Sequence, residues 1–366
     1  MTTPKQIFVG ATRQNDGKTT FSLGLFNALQ KRFDQVGYMK PVGQQYVMVN
    51  DKRIDKDAFL FHKEFNLTDP IEWTSPIAVP KGFTQDYIDN PNPDRIYEKI
   101  LKARDQMIVG KDAVLYEGTG HAGVGSVFDA SNADTAKLLG SKVVLVTVGG
   151  IGKSIDEIMM NAALFKDRGV DIIGVVVNKV RPEKYDKIKD YATRGYKRFG
   201  IDVLGVMPLM TQLTCPTIAS IIDELKPEVL SGDYGFNNMV KKFMIGDMMP
   251  HHALDKFADG TLLIVPGNRE GVILTALTEN LMRQDSDQRQ VSGIIFTDDV
   301  APHPKLLSLI QMTNIPLLQV KQDAFSVATQ INNIIFKIRA DETEKITIAE
   351  KMVEEYVDLD RICDAL

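Results

Sequence analysis

Residues 10–20 read Gly-Ala-Thr-Arg-Gln-Asn-Asp-Gly-Lys-Thr-Thr and follow directly on the apolar run Ile7-Phe8-Val9. Glycine at such a bend lets backbone N–H groups turn inward on phosphate oxygens. A lysine next in line can neutralise β- and γ-phosphates, and the following hydroxyl can hold Mg²⁺. The apolar positions Phe21, Leu23, Leu25, Phe26 and Leu29 make the next segment a helix, whose positive N-terminus points at the same anion. The expected contact set is Gly10, Thr12, Gly17, Lys18, Thr19 and Thr20, and the ligand class is a nucleoside triphosphate. The spacing departs from G-x-x-x-x-G-K-[ST]: the first glycine position is Thr12, and the nearest glycine, Gly10, comes two residues early.

Other chemistry-bearing residues stand where apolar runs stop. Lys40 follows Val36–Met39, where it can stabilise charge on a transferring phosphoryl group, although a surface lysine before Pro41 fits equally. Asp57 opens a helix as a Mg²⁺ ligand or as an N-cap. Glu117 ends Ala113–Tyr116, the usual place of a Mg²⁺-binding carboxylate. Asn178 ends another run and offers an amide to an adenine edge, or a turn. Gly118–Gly123 matches G-x-G-x-x-G but opens no evident helix, so a dinucleotide role is not expected. Gly149–Ser154 resembles a second Gly-Lys-Ser loop but has Thr147 where glycine is needed, which leaves a lid, a substrate loop or a plain turn.

These residues need a scaffold that brings strand ends together. The apolar runs Ile7–Val9, Val36–Met39, Ala113–Tyr116, Val143–Val148, Ile172–Val177 and Val203–Val206 alternate with helical patterns such as Ser154–Phe165 and Tyr185–Phe199. Continuous apolar strands between helices predict an α/β fold, a mostly parallel sheet covered on both faces. Ligands then sit at the carboxyl ends of the strands. A helix to Leu225 and then Lys226-Pro227 marks the expected end of a first domain, residues 1–225. A smaller α/β pattern fills 226–340. Its strands are expected near Phe243–Ile245, Leu262–Val265, Gly293–Phe296 and Pro316–Val320, and its last helix over Ala324–Phe336. Residues 341–366 form an acidic C-terminal helix segment, its amphipathic helix covering about Glu344–Leu359, with Ile348, Met352, Val353, Tyr356 and Leu359 on one face.

Composition narrows the class further. The 366 residues carry a net charge of −5, and 341–366 alone contribute −6, so the rest is close to neutral. With no basic stripe, nucleic acid is not an expected partner. No run nears the roughly 18 apolar residues of a membrane span, and no secretion-type segment precedes the first strand. A cytoplasmic protein without membrane contact follows. Cys215 and Cys363 are too far apart in sequence to suggest a disulfide framework.

Taken in order, the phosphate loop, Lys40-Pro41-Val42, Asp57-Ala58, Glu117-Gly118-x-Gly120, Val176-x-Asn178-Lys179 and Val206-Met207-Pro208 resemble the dethiobiotin synthetase family of P-loop proteins. The resemblance covers about residues 5–225. It extends to the cobyrinic acid diamide synthases and to the N-terminal region of large bacterial phosphotransacetylases. It implies ATP and Mg²⁺ as cofactors. It places Lys18 and Lys40 on phosphates as the catalytic pair, Thr19, Asp57 and Glu117 on Mg²⁺, and Asn178 at adenine. Asn15 stands where that family carries a glutamate, and Gly43-Gln44-Gln45 replaces its substrate-binding serine region. Ile245-Gly246-Asp247-Met248 and Val265–Glu270 resemble the DRTGG domain that follows the same module in those phosphotransacetylases. Pro266-Gly267 and Arg269 could hold an anion there, or form a strand-to-helix turn. The acyltransferase part of those proteins has no counterpart in these residues. The expectation is therefore a regulatory MgATP-binding module, with a metabolite or second nucleotide at the smaller domain and a homodimer by analogy. The alternative is a ligase that phosphorylates a carboxylate or carbamate before amine attack.

Overall fold

The computed structural model describes residues 3–282, 291–334 and 337–366. They form two compact units, Met1–Met210 with Ile338–Leu366, and Thr211–Lys337. In the first unit six strands build one sheet: β1 (Lys5–Ala11), β2 (Val36–Met39), β3 (Ala113–Glu117), β4 (Lys142–Val148), β5 (Ile172–Val180) and β6 (Val203–Pro208). Their spatial order is β6-β5-β4-β1-β3-β2, and every neighbouring pair is parallel. The runs are apolar throughout because both sheet faces are covered.

Alternation along each strand sends side chains to two layers. Phe8, Val114, Tyr116, Val143, Leu145, Val175 and Val177 point to one face. There they meet α3 (Pro93–Met107), α4 (Asn132–Leu139), α5 (Lys153–Asp167) and α6 (Tyr185–Lys197) through residues such as Ile100, Ala136, Ala162 and Ala192. Two earlier helices, α1 (Lys18–Gln30) and α2 (Lys56–Glu64), follow the phosphate loop and a short hairpin, Tyr46–Val49 with Lys52–Asp55. Phe26 of α1, Phe61 of α2 and Tyr38 of β2 form one buried aromatic cluster, with Tyr38 stacked on Phe61 at 3.7 Å between centroids.

The second unit is a five-stranded sheet of order β7-β11-β10-β9-β8, namely β7 (Glu228–Ser231), β8 (Lys242–Ile245), β9 (Thr261–Pro266), β10 (Val291–Thr297) and β11 (Leu317–Gln319). Only the edge strand β7 runs antiparallel. Helices α8 (Glu270–Met282) and α9 (Pro304–Gln311) cover one face. Helices α7 (Ile218–Leu225) and α10 (Ala324–Asn333) cover the other. The second unit begins at Thr211, ahead of the expected boundary at Lys226-Pro227. Ile218 and Ile221 of α7 pack on Leu262, Ile264 and Ile295, which draws this helix into the second unit. The expected last helix of that domain reached Phe336, which lies outside the described residues.

The chain then returns to the first unit as α11 (Thr343–Tyr356) and α12 (Leu359–Ala365). The C-terminal helix expected within 341–366 is present and belongs to the second helical layer, packed along α1. Its buried face is Ile346, Ala349, Met352 and Val353, while Ile348 is only half-buried. Glu344, Glu354 and Glu355 are exposed on the opposite side, while Glu342 is buried beside Lys345. One helix to Leu359 becomes two, because Val357 leaves the helix to bridge Gly205 and Asp358 caps the next turn by accepting from Arg361 N at 3.0 Å. Contact with α1 is intimate: a Cβ on Gly24 would lie 2.5 Å from Val353 Cβ and 2.8 Å from Ala349 O. Lys5 Nζ and Lys142 Nζ donate to the last carbonyls of α12, on Cys363 and Ala365, at 2.8 and 2.5 Å. Such cations suit a helix C-terminus.

Candidate functional site at the strand ends

The loop between β1 and α1 turns through Gly17, which has φ +95° and serves as N-cap with no side-chain cap. The first-turn amides of α1 thus keep no internal side-chain partner, the condition that lets a helix N-terminus receive an anion. A Cβ on Gly17 would stand 2.0 Å from Asn178 Nδ2, so neither the dihedral nor the space admits another residue.

Lys18 is buried between this loop and the end of β3. Its ammonium donates to Arg13 O at 3.2 Å and Gly120 O at 3.1 Å. Burial lowers it to about 8, against the opposing pull of Glu117. Thr19 Oγ1 donates to Glu117 Oε1 at 2.9 Å. Glu117 is fully buried, and its other oxygen accepts from Tyr38 Oη at 3.4 Å. Lys40, at the end of β2, is also buried. It pairs with Asp57 and lies 3.5 Å from Asp55 Oδ1 and 3.4 Å from Glu117 Oε1. Burial alone would push this ammonium down, but Asp57, Asp55 and Glu117 hold it above an ordinary lysine. Lys18, Thr19, Lys40, Asp57 and Glu117 are thus brought together at the strand ends.

Other expected contact residues take different places in this structure. Gly10 belongs to β1, where a Cβ would touch Leu145 Cδ2 at 3.0 Å, so it packs in the sheet and not in the loop. Thr12 shapes the loop: its N–H donates to Val146 O, and its hydroxyl bonds Asp16 Oδ2 at 2.5 Å and Thr147 Oγ1 at 3.1 Å. Thr20 is half-buried in the first turn of α1. Asn178 braces the loop from below. Its amide donates to Asp16 O at 2.9 Å and its oxygen accepts from Lys179 N at 2.8 Å, so in this structure neither end is turned to a base. Asp57 is not the N-cap of α2: that role is taken by Asp55, which accepts from Asp57 N at 2.8 Å.

Two acidic residues were missed. Asp55 joins the cage around Lys40, and the Asp-x-Asp spacing with Asp57 was its signal. Asp16 is buried inside the loop and accepts from Arg13 N at 2.8 Å. Burial raises its carboxyl above the usual range, although Thr12 and Arg13 donate to it. Its place immediately before Gly17-Lys18 could have flagged it.

The glycine-rich segments serve as shaped turns. Asn132 ties the 118–123 loop by accepting from Thr119 N and donating to Thr119 O and His121 O. In Gly149–Ser154 the serine hydroxyl is spent on Gly150 O at 2.5 Å. In the second unit, Arg269 donates to Asp247 O at 2.6 Å and Gly267 packs against Val300–Pro302, which fits the strand-to-helix turn better than an open anion site. Among the described residues no group of three or more His, Cys, Asp or Glu side chains is arranged to hold a metal; the carboxylates here surround an ammonium. No helix among the described residues is long and apolar enough to cross a membrane.

A parallel sheet with a phosphate-type loop after its central strand defines a P-loop NTPase-like fold. Residues 5–217 match the family model described as an AAA domain (AAA_26), and residues 220–334 match the DRTGG domain. The chain belongs to that AAA domain family, with a DRTGG domain following. It is similar to a phosphate acetyltransferase of Nitratidesulfovibrio vulgaris, 26% identical over 362 residues, covering 96% of this chain and 50% of the relative. It is likewise similar to one of Pseudomonas putida, 26% identical over 368 residues, again 96% of this chain and 50% of the relative. The chain therefore spans about half the length of these curated relatives. Among solved structures, a plasmid partition protein from Borrelia burgdorferi aligns with 57% of this chain and 91% of its own, at 10% identity and a TM-score of 0.39. That likeness is loose, and the fold class rests on the strand order itself.

Proposed function

We propose that the first unit binds MgATP and serves as a regulatory nucleotide-binding module of the kind found in phosphate acetyltransferases. The observation that carries it is that two successive residues of an uncapped loop reach the end of a neighbouring strand, Thr19 donating to Glu117 and Lys18 to Gly120 O just beyond it. The regulatory half of the reading is supported by the likeness to the relatives, which runs across both domains in one order. A Mg²⁺ ion would take oxygens from Thr19, Asp57 and Glu117, with phosphate and water completing the set. Those residues fit it: the oxygens are hard donors, and carboxylates already stabilise a buried cation there. When bound, the ion would neutralise β- and γ-phosphate charge. The second domain would receive a metabolite or nucleotide and report to a partner.

One observation favours a second reading. Lys40 lies inside the same constellation, where a ligase would use it on a transferring phosphoryl group. ADP release with and without candidate carboxylates separates the two. The regulatory module binds ATP with negligible release under every condition. Release stimulated by a carboxylate would replace that reading with the ligase.

Lys18 also gives the binding a pH signature. With its nucleotide-free value near 8, it is charged below that pH and neutral above it. Phosphate favours the charged form, so binding above pH 8 must take up a proton. The affinity for ATP is expected to be flat below pH 8 and to fall by up to about tenfold per unit above it. Calorimetry in buffers of different ionisation enthalpy checks this, with little proton uptake at pH 7 and about one proton at pH 9. Equal uptake at both pH values would contradict it.

A further inference from the structure

The ammonium of Lys40 lies where a divalent cation would have to lie, and this inference rests on the MgATP reading above. Glu117 Oε1 accepts from Thr19 Oγ1 at 2.9 Å and lies 3.4 Å from Lys40 Nζ, while Asp57 pairs directly with the same ammonium. A metal held by Thr19, Asp57 and Glu117 would need oxygens that Lys40 already engages. Two cations cannot share them at contact distance without strong repulsion.

We propose that Lys40 is a tethered internal cation that fills the divalent-metal site of the nucleotide-free protein and yields it when nucleotide and metal arrive together. The surroundings support exchange more than simple release. Asp55 is fixed as the cap of α2, and its N–H donates to Ser75 Oγ at 2.9 Å. The backbone of Lys40 is fixed as well, with its N–H on Thr74 O at 2.8 Å. The aromatic stack of Tyr38 on Phe61 keeps the adjoining wall apolar. The carboxylates therefore stay in place, and the flexible lysine stem is the part free to move. Buried carboxylates left without a cation are strongly destabilising, so the site passes from one cation to another. Lys40, once displaced, is free to meet phosphate oxygens at the same strand end. Nucleotide-free protein should accordingly reject divalent metal, and metal should enter only with the triphosphate.

The test uses Mn²⁺ as the probe, titrated by paramagnetic resonance and calorimetry into the full chain without nucleotide. Lys40→Met is expected to bind Mn²⁺ at least tenfold more tightly than the wild type, and Lys40→Met/Asp57→Asn is expected to lose that gain. Should Lys40→Met fold poorly, thermal melts give the same answer: Mg²⁺ raises the melting temperature of the variant and leaves the wild type unchanged. Wild-type protein that binds Mn²⁺ as tightly as the variant overturns the proposal. So does a variant with neither gained affinity nor metal-dependent melting. A parallel titration of the wild type with MgATP separates the failures. If ATP binds but the variant gains nothing, the exchange is wrong and the nucleotide reading stands. If ATP does not bind, that reading falls, and the proposed handover to phosphate falls with it.

Discussion

Replacing Lys18 with alanine is expected to weaken MgATP binding by about a hundredfold or more, without lowering the melting temperature. The binding loss follows from what the ammonium does when phosphate is present. Each charge-assisted hydrogen bond contributes on the order of 1.5–3 kcal/mol, and a P-loop lysine makes such bonds to more than one phosphate oxygen. About 3 kcal/mol corresponds to roughly a hundredfold in affinity. The unchanged stability follows from the nucleotide-free geometry. Lys18 is buried, its bonds go only to the carbonyls of Arg13 and Gly120, and burial disfavours its charge. Removing it relieves a desolvation cost while giving up two ordinary acceptors. Calorimetry and thermal melts on one preparation check both halves. A variant that binds MgATP as the wild type does would remove Lys18 from the site.

The second large effect is on stability and comes from the far side of the same helix. Gly24→Leu is expected to destabilise the first unit by about 3 kcal/mol, the upper end of what overpacking a close contact costs, with Gly24→Ala intermediate. Even a methyl group at this position meets Val353 Cβ at 2.5 Å and the carbonyl of Ala349 at 2.8 Å. Backbone cannot step aside as a flexible side chain can, so α1 and α11 must part. Urea denaturation followed by fluorescence reads this unit alone, because the single tryptophan, Trp73, belongs to it. A Leu variant as stable as the wild type would mean that α11 does not rest on α1. Because α1 begins at Lys18, the C-terminal helices also steady the helix that presents the phosphate loop.

How much of this was legible depended on which physical signal each residue carried. The strands could be read because a parallel sheet buried on both faces demands continuous apolar runs, and β1 to β6 supply them. Lys40, Glu117 and Asn178 could be placed because each ends such a run. Their partners could not. Asp16 lies in the irregular loop and Asp55 ends a four-residue hairpin strand, too short for periodicity to show which way a carboxylate points, and both turned inward. Gly10 was assigned to the loop because sequence alone does not say where a strand stops, and β1 continues to Ala11. Asn178 has the residue type for base reading, but the tight approach of Gly17 claims its amide for the loop. The C-terminal helix could be read from its apolar stripe, of which Met352 and Val353 are buried, whereas Ile346 and Ala349 complete the docked face in place of Ile348.

The central claim is that the loop between β1 and α1 is a working MgATP site. Calorimetric titration of the intact chain with ATP, and separately with GTP, in the presence of Mg²⁺ tests it most directly. Saturable binding of ATP at one site per chain is expected, lost when EDTA removes the metal. Absence of any saturable heat with ATP and Mg²⁺ would contradict it, and the loop with Thr12, Asn15 and Asp16 would then be a phosphate-loop scaffold that no longer receives nucleotide.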